Sequence, residues 1–279
     1  MIKELVDEKS DILDYPTKLT QGIIPKPIHS HNDYWRQVPL LTALSFGVTS
    51  VEADVWLVEG ELFVGHEQAA LSPSRTFDKL YVQPLLKIIQ AQNPKTKFNT
   101  NPTPPNGVWD TASSIPLQLL VDMKTDGVET LPFVIKALEP LRQAGYLSSA
   151  TGTTLTLGPV LVIGTGNTPL AGIQALDPRD VFLDAPLASL NDTYTPLLSP
   201  LASTDWATAV GWTGVGTMSS EQRANLTKFV QDAHSRGIRS RFWDTPGWPI
   251  SARDAIWREI INAGSDWLNA DDVEAASKF

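Results

Sequence analysis

Short apolar runs of strand length alternate with longer amphipathic stretches along most of the sequence, and this alternation constrains the fold more than any other feature. Strands separated by helices cannot pair as hairpins, so the pattern calls for parallel pairing with helical crossovers. Strands are expected at Pro25–His31, Val48–Val55, Leu62–His66, Pro116–Lys124, Thr153–Leu157, Val160–Gly164, Val181–Asp184, Ile238–Trp243 and Asp266–Asn269. Helices are expected at Val38–Phe46, closed by Gly47, then at Asp78–Ala91, after Asp126-Gly127, at Glu221–Arg236 and at Ala252–Ala263. Glu59-Gly60 reads as a hairpin turn. Asn93–Asn106 reads as a polar excursion over one face, and Tyr194–Ser203 as a Pro- and Ser-rich loop. Roughly eight strand–helix units in 279 residues favour an α/β fold, a single closed TIM-type (β/α)₈ barrel over residues 25–279, after an N-terminal extension at 1–24.

Composition narrows the function. A formal net charge of −9 excludes a broad electrostatic footprint for nucleic acid. The absence of cysteine excludes a disulfide scaffold, a thiolate zinc site and a cysteine nucleophile. No apolar run reaches the ~20 residues of a membrane helix, and the charged opening MIKELVDEKSDILDY is not a secretory signal.

Chemistry concentrates in four short contexts: His29-Ser-His31-Asn32-Asp33-Tyr34, Glu52-Ala-Asp54, Gly65-His66-Glu67 and Asp122-Met-Lys124. Side chains two apart on a strand share a face, so Glu52 pairs with Asp54, and Asp122 with Lys124. In a parallel barrel both pairs would look into the mouth at the carboxyl ends of the strands. Three carboxylates converging there resist ionisation unless a hard divalent cation neutralises them, and Asn32 offers a neutral oxygen beside them. Two histidines flanking such a cation supply the acid and base of phosphodiester chemistry. Alone, His29 reads as a packed histidine and His234 as the cationic end of its helix; Arg239 and Arg241 share the strand face of Trp243, where one could reach a phosphate, but read by default as partners of surface ion pairs.

Taken in order, Ser30-His31-Asn32-Asp33-Tyr34, Glu52-Ala-Asp54, Val64-Gly-His66 and Asp122-Met-Lys124 resemble the catalytic segments of the PLC-like phosphodiesterase superfamily. That superfamily includes glycerophosphodiester phosphodiesterases, phospholipases C and the sphingomyelinase D-like toxins. The resemblance is strongest to a fungal and bacterial branch carrying HSHNDY, which includes the altered inheritance of mitochondria proteins. It implies His31 and His66 as catalytic residues and Glu52, Asp54, Asp122 and Asn32 as metal ligands. Lys124 and Trp243 are implied as substrate contacts, with His29 added to that set. It further implies Mg²⁺, with Ca²⁺ the alternative, and a small phosphodiester or phospholipid headgroup as partner, met without a transmembrane segment and through transient contact with a membrane surface. The chain would then be the mature part of a secreted or membrane-associated protein. The Arg-Gly that follows the first histidine of glycerophosphodiesterases is replaced here by Asn32-Asp33, and the toxins' disulfide loop has no cysteines to form it. Two other readings fit the composition: a glycoside hydrolase barrel, given nine tryptophans and many acids, and a non-catalytic barrel binding a phosphorylated ligand.

Overall fold

A computed structural model describes residues 2–7, 15, 17–100 and 103–279. Much of the expected extension, at 8–14 and 16, and positions 101–102 of the polar excursion therefore lie outside the described residues. Eight parallel strands form the barrel: β1 Lys26–Ser30, β2 Val48–Val58, β3 Leu117–Met123, β4 Val160–Gly166, β5 Val181–Pro186, β6 Leu201–Asp205, β7 Arg239–Trp243 and β8 Leu268–Ala270. They pair in sequence order from β1 to β7, and β1 also pairs with β8. A single parallel bridge between Arg241 and Trp267 draws β7 to β8 and all but closes the ring.

The sequence explains why the strands sit where they do. β2, β3 and β4 are almost wholly buried, with Val51, Ala53, Val55, Leu119, Val121, Val160 and Val162 enclosed. Strands covered on both faces read as continuous apolar runs rather than alternating ones. Ser219 caps the helix Ser220–Ser235 in a reciprocal capping box with Gln222, which satisfies two backbone donors at its start. Asp126 caps Gly127–Ala137 by accepting from the Glu129 N–H.

Two expectations change. The segment read as a loop at Tyr194–Ser203 ends in a barrel strand, β6, laddered to both β5 and β7. Pro200 hid it, yet a proline just before the first strand residue costs the ladder no donor. Thr153–Leu157 supplies Thr154–Thr156, which pairs antiparallel with Ser149–Thr151 in a hairpin outside the barrel. The hairpin expected at Glu59-Gly60 is present, Glu61–Val64 returning antiparallel along β2. The polar excursion is tied at its base, where Asn93 Nδ2 donates to the Asn106 carbonyl at 2.8 Å and the Asn106 N–H donates to Asn93 Oδ1 at 2.9 Å.

Candidate active site

The carboxyl ends of the strands open into a cavity of about 440 Å³. β2 delivers Glu52 and Asp54 to it from one face, and the parallel register sets Asp54 beside Asp122 of β3. One oxygen from each of Glu52, Asp54 and Asp122 lies within 4.8 Å of the others. Asp122 fits because Gly166 follows it across the ladder: a Cβ there would lie 2.0 Å from Asp122 Oδ1, and the glycine's φ of +63° is one that side-chain-bearing residues rarely adopt.

His31 follows directly on β1, and its backbone N–H still pairs with the Ala270 carbonyl at 3.1 Å. The chain then turns through Asn32 in the left-handed region (φ 48°, ψ 46°), a conformation asparagine tolerates better than most residues. This turn aims the Asn32 backbone N–H at Glu52 Oε2, 2.9 Å away. Asp33 is wholly buried and does not reach the cavity. Its carboxylate accepts from Ser30 Oγ at 2.8 Å, the Leu40 N–H at 2.6 Å and the Tyr81 hydroxyl at 3.1 Å. It therefore braces the turn that carries the neighbouring residues.

The return strand places the second histidine. Val64 pairs with Val55, the Gly65 N–H reaches the Asp54 carbonyl at 3.2 Å, and Trp56 Nε1 donates to the Gly65 carbonyl at 2.7 Å. His66 thereby lies across the carboxylates from His31, its Nδ1 3.4 Å from Asp54 Oδ2 and its ring packed edge-on to Trp35. His31 Nδ1 bonds to Asp271 Oδ1 at 2.9 Å, and its Nε2 lies 3.8 Å from Glu52 Oε2. Burial disfavours the His31 cation, but the bond to Asp271 and the charge of Glu52 outweigh it and raise the pKa.

Burial, reinforced by the charges of Glu52 and Asp122, pushes Asp54 up to about 6, and burial also raises Asp122. Lys124 offsets part of this, its Nζ 2.9 Å from Asp54 Oδ2 and 2.8 Å from Asp122 Oδ2. One lysine leaves Asp54 Oδ1 and Asp122 Oδ1 buried with no hydrogen-bond partner. Two orphaned carboxylate oxygens beside a third acid are a donor set that suits a hard divalent cation.

Of the residues expected from the sequence, His31, Asn32, Glu52, Asp54, His66, Asp122, Lys124 and Trp243 all line this cavity. His29 does not. It is fully enclosed one residue pair below, with Nδ1 2.7 Å from Ser50 Oγ and Nε2 3.7 Å from Glu52 Oε2, so it cannot meet a substrate. Burial, with the nearby charge of Arg241, lowers its pKa to about 4, and it stands as a neutral support beneath Glu52. Asn32 lines the cavity, but its Oδ1 already accepts from the Tyr34 hydroxyl at 2.5 Å.

Four contributors stand outside the set of expected site residues. Arg241, expected in a surface pair, is buried on the cavity floor and held by Ser203 Oγ and Asn269 Oδ1, each at 3.0 Å. Asp184 lies 3.8 Å from it; burial pushes this acid up to about 6 in spite of Arg241. The signal for Arg241 was its place two residues before Trp243, on the same strand face. Asp271 follows the last strand and Tyr34 sits within the first motif, and only the fold shows what either touches.

An eight-stranded parallel barrel with paired histidines around converging acids at its mouth defines a member of the PLC-like phosphodiesterase superfamily. The family model of the AIM6-like phosphodiesterase domain matches residues 17–184. The altered inheritance of mitochondria protein 6 homolog of Arthroderma benhamiae is 43% identical over 98% of this chain and 89% of its own length. The altered inheritance of mitochondria protein 6 of Eremothecium gossypii is 36% identical over 94% of this chain and 72% of its own length. The chain belongs to the AIM6-like phosphodiesterase family. A crystal structure of a glycerophosphodiester phosphodiesterase from Parabacteroides distasonis shares the fold, with a TM-score of 0.51 and 14% identity over 92% of this chain and 97% of that one. Among the described residues no helix is long and apolar enough to cross a membrane.

Proposed function

We propose that the chain is a cation-dependent phosphodiesterase that cleaves a phospholipid or glycerophosphodiester linkage by acid–base catalysis between His31 and His66. One observation carries this reading: two histidines flank three converging carboxylates, two of which keep a buried oxygen without a partner. Glu52, Asp54 and Asp122 would hold a divalent cation, Mg²⁺ with Ca²⁺ the alternative, with Asn32 adjoining, and such a cation supplies charge neutralisation at the phosphate oxygens. His31, bonded to the Asp271 carboxylate, is built to carry a positive charge and gives its proton to the leaving oxygen. His66, beside a phenol, takes the proton of the attacking water or substrate hydroxyl. Attack by a substrate hydroxyl yields a cyclic phosphate; attack by water yields the hydrolysed monoester. Lys124 and Arg241 place fixed positive charge on two sides of the cavity, and Trp243 forms one wall.

The test is incubation of Mg²⁺- or Ca²⁺-loaded protein with lyso- and glycerophospholipids, products being read by phosphorus NMR. Turnover that stops with EDTA and is lost in both His31→Ala and His66→Ala is the expected result. Either variant retaining the full rate would remove the histidine roles. Hydrolysis of a glycoside that ignores EDTA would replace the reading altogether.

A further inference from the structure

Tyr34 belongs to the first motif, yet its side chain leaves that loop and reaches the other half of the site. Its hydroxyl donates toward Asp54 Oδ2 at 2.7 Å and Asn32 Oδ1 at 2.5 Å, and His66 Nδ1 lies 3.2 Å from the same oxygen. A phenol has one proton to give. With that proton directed at the carboxylate and the amide oxygen, the phenolic oxygen can meet His66 only as an acceptor. His66 Nδ1 must then carry the hydrogen, and in the neutral ring Nε2 is left bare. Asp54 Oδ2, the other oxygen near Nδ1, can only accept once its carboxylate is ionised, and it lies farther off at 3.4 Å.

We propose that Tyr34 is a positioning residue that fixes His66 as the Nδ1–H tautomer and so presents its bare Nε2 as the proton acceptor of the reaction. The assignment of His66 as base rests on the proposed phosphodiesterase reading; the tautomer does not. The surroundings are built for such a hold. Trp35, next in sequence, packs against the His66 ring with centroids 5.3 Å apart. Arg75 Nη2 donates to the Tyr34 backbone carbonyl at 2.5 Å, and Tyr34 itself is 2% exposed. An imidazole otherwise nearly half exposed thus gains a fixed partner on its inner nitrogen, the arrangement that decides which nitrogen of a histidine reacts.

The test is ¹⁵N NMR of the histidine rings in the full chain above the titration range, with His66 identified by the signals missing from His66→Gln. The wild type is expected to show a protonated Nδ1 and a bare Nε2 at His66. In Tyr34→Phe, which keeps the ring packing and removes only the oxygen, the two tautomers should mix, and kcat on a turned-over phosphodiester should fall by about 10–100-fold with KM little changed. A wild-type His66 protonated at Nε2 would overturn the proposal without any variant, as would a folded Tyr34→Phe whose His66 stays wholly in the Nδ1–H form. If Tyr34→Phe does not fold, Asp54→Ala serves instead: His66 held in the Nδ1–H form there is the expected result, and mixed tautomers would assign the hold to the carboxylate and overturn the proposal. Absence of phosphodiester turnover would instead sink the functional reading and leave the tautomer result standing.

Discussion

Among the described residues a histidine ring is hydrogen-bonded to an aspartate at each end of the barrel, His31 to Asp271 and His234 to Asp266, and the two pairs differ in their surroundings. At the mouth, His31 Nδ1 meets Asp271 Oδ1 at 2.9 Å, and the other ring nitrogen lies 3.8 Å from Glu52, which is clustered with Asp54 and Asp122 and their unpartnered oxygens. At the opposite end, His234 Nε2 meets Asp266 Oδ2 at 2.7 Å. That same oxygen also accepts from the Ser240 backbone N–H at 2.8 Å and from Ser240 Oγ at 3.2 Å. The second pair is closed on itself and fastens the end of a helix to the floor of the barrel. A histidine–aspartate contact is therefore no sign of chemistry by itself. What separates the two is the unsatisfied, mutually repelling acid oxygens on the far side of His31.

The contrast can be broken at several points. Glu52→Ala or Asp54→Ala should have the largest effect, abolishing Mg²⁺ binding by titration calorimetry together with phosphodiester turnover; calorimetric binding unchanged from wild type would dissolve the special status of the mouth. Asp271→Asn keeps the shape of the His31 partner but removes its charge, and should lower kcat by about 10–100-fold with the fold intact by circular dichroism. Asp33→Ala tests the bracing of the first turn: it removes a buried acceptor of three hydrogen bonds and should cost about 3 kcal/mol in urea unfolding. The smallest change is expected at the closed pair. His234→Ala should leave turnover at the wild-type value and cost no more than about 1 kcal/mol, since its ring is partly exposed.

Why the first half of the site was legible and the second half was not follows from where the residues lie. Glu52 with Asp54, and Asp122 with Lys124, announce themselves because a strand repeats every two residues, so each pair must share a face. His31 and His66 stand beside them in short motifs. Arg241 and Asp271 come from the last quarter of the chain, and Asp184 from β5, each far in sequence from the four motifs. They join the others only because β8 returns to pair with β1, a fact of ring closure that no local pattern encodes. His29 misled for the opposite reason. It sits two positions before His31, and β1 carries both into the barrel interior, but at different depths, so His29 ends beneath Glu52 rather than beside a substrate. β6 was obscured by its flanking proline, while the barrel as a whole was visible in the repeated apolar runs.

The short ribbon Glu61–Val64 makes the spacing of the Glu59-Gly60 corner part of the chemistry. Slipping that ribbon by a single residue against its neighbour would invert which way each of its side chains faces. The imidazole of His66 would then swing out to solvent although nothing had been removed. A one-residue insertion at the corner, far from any reacting atom, would thus disarm the mouth as thoroughly as deleting the histidine.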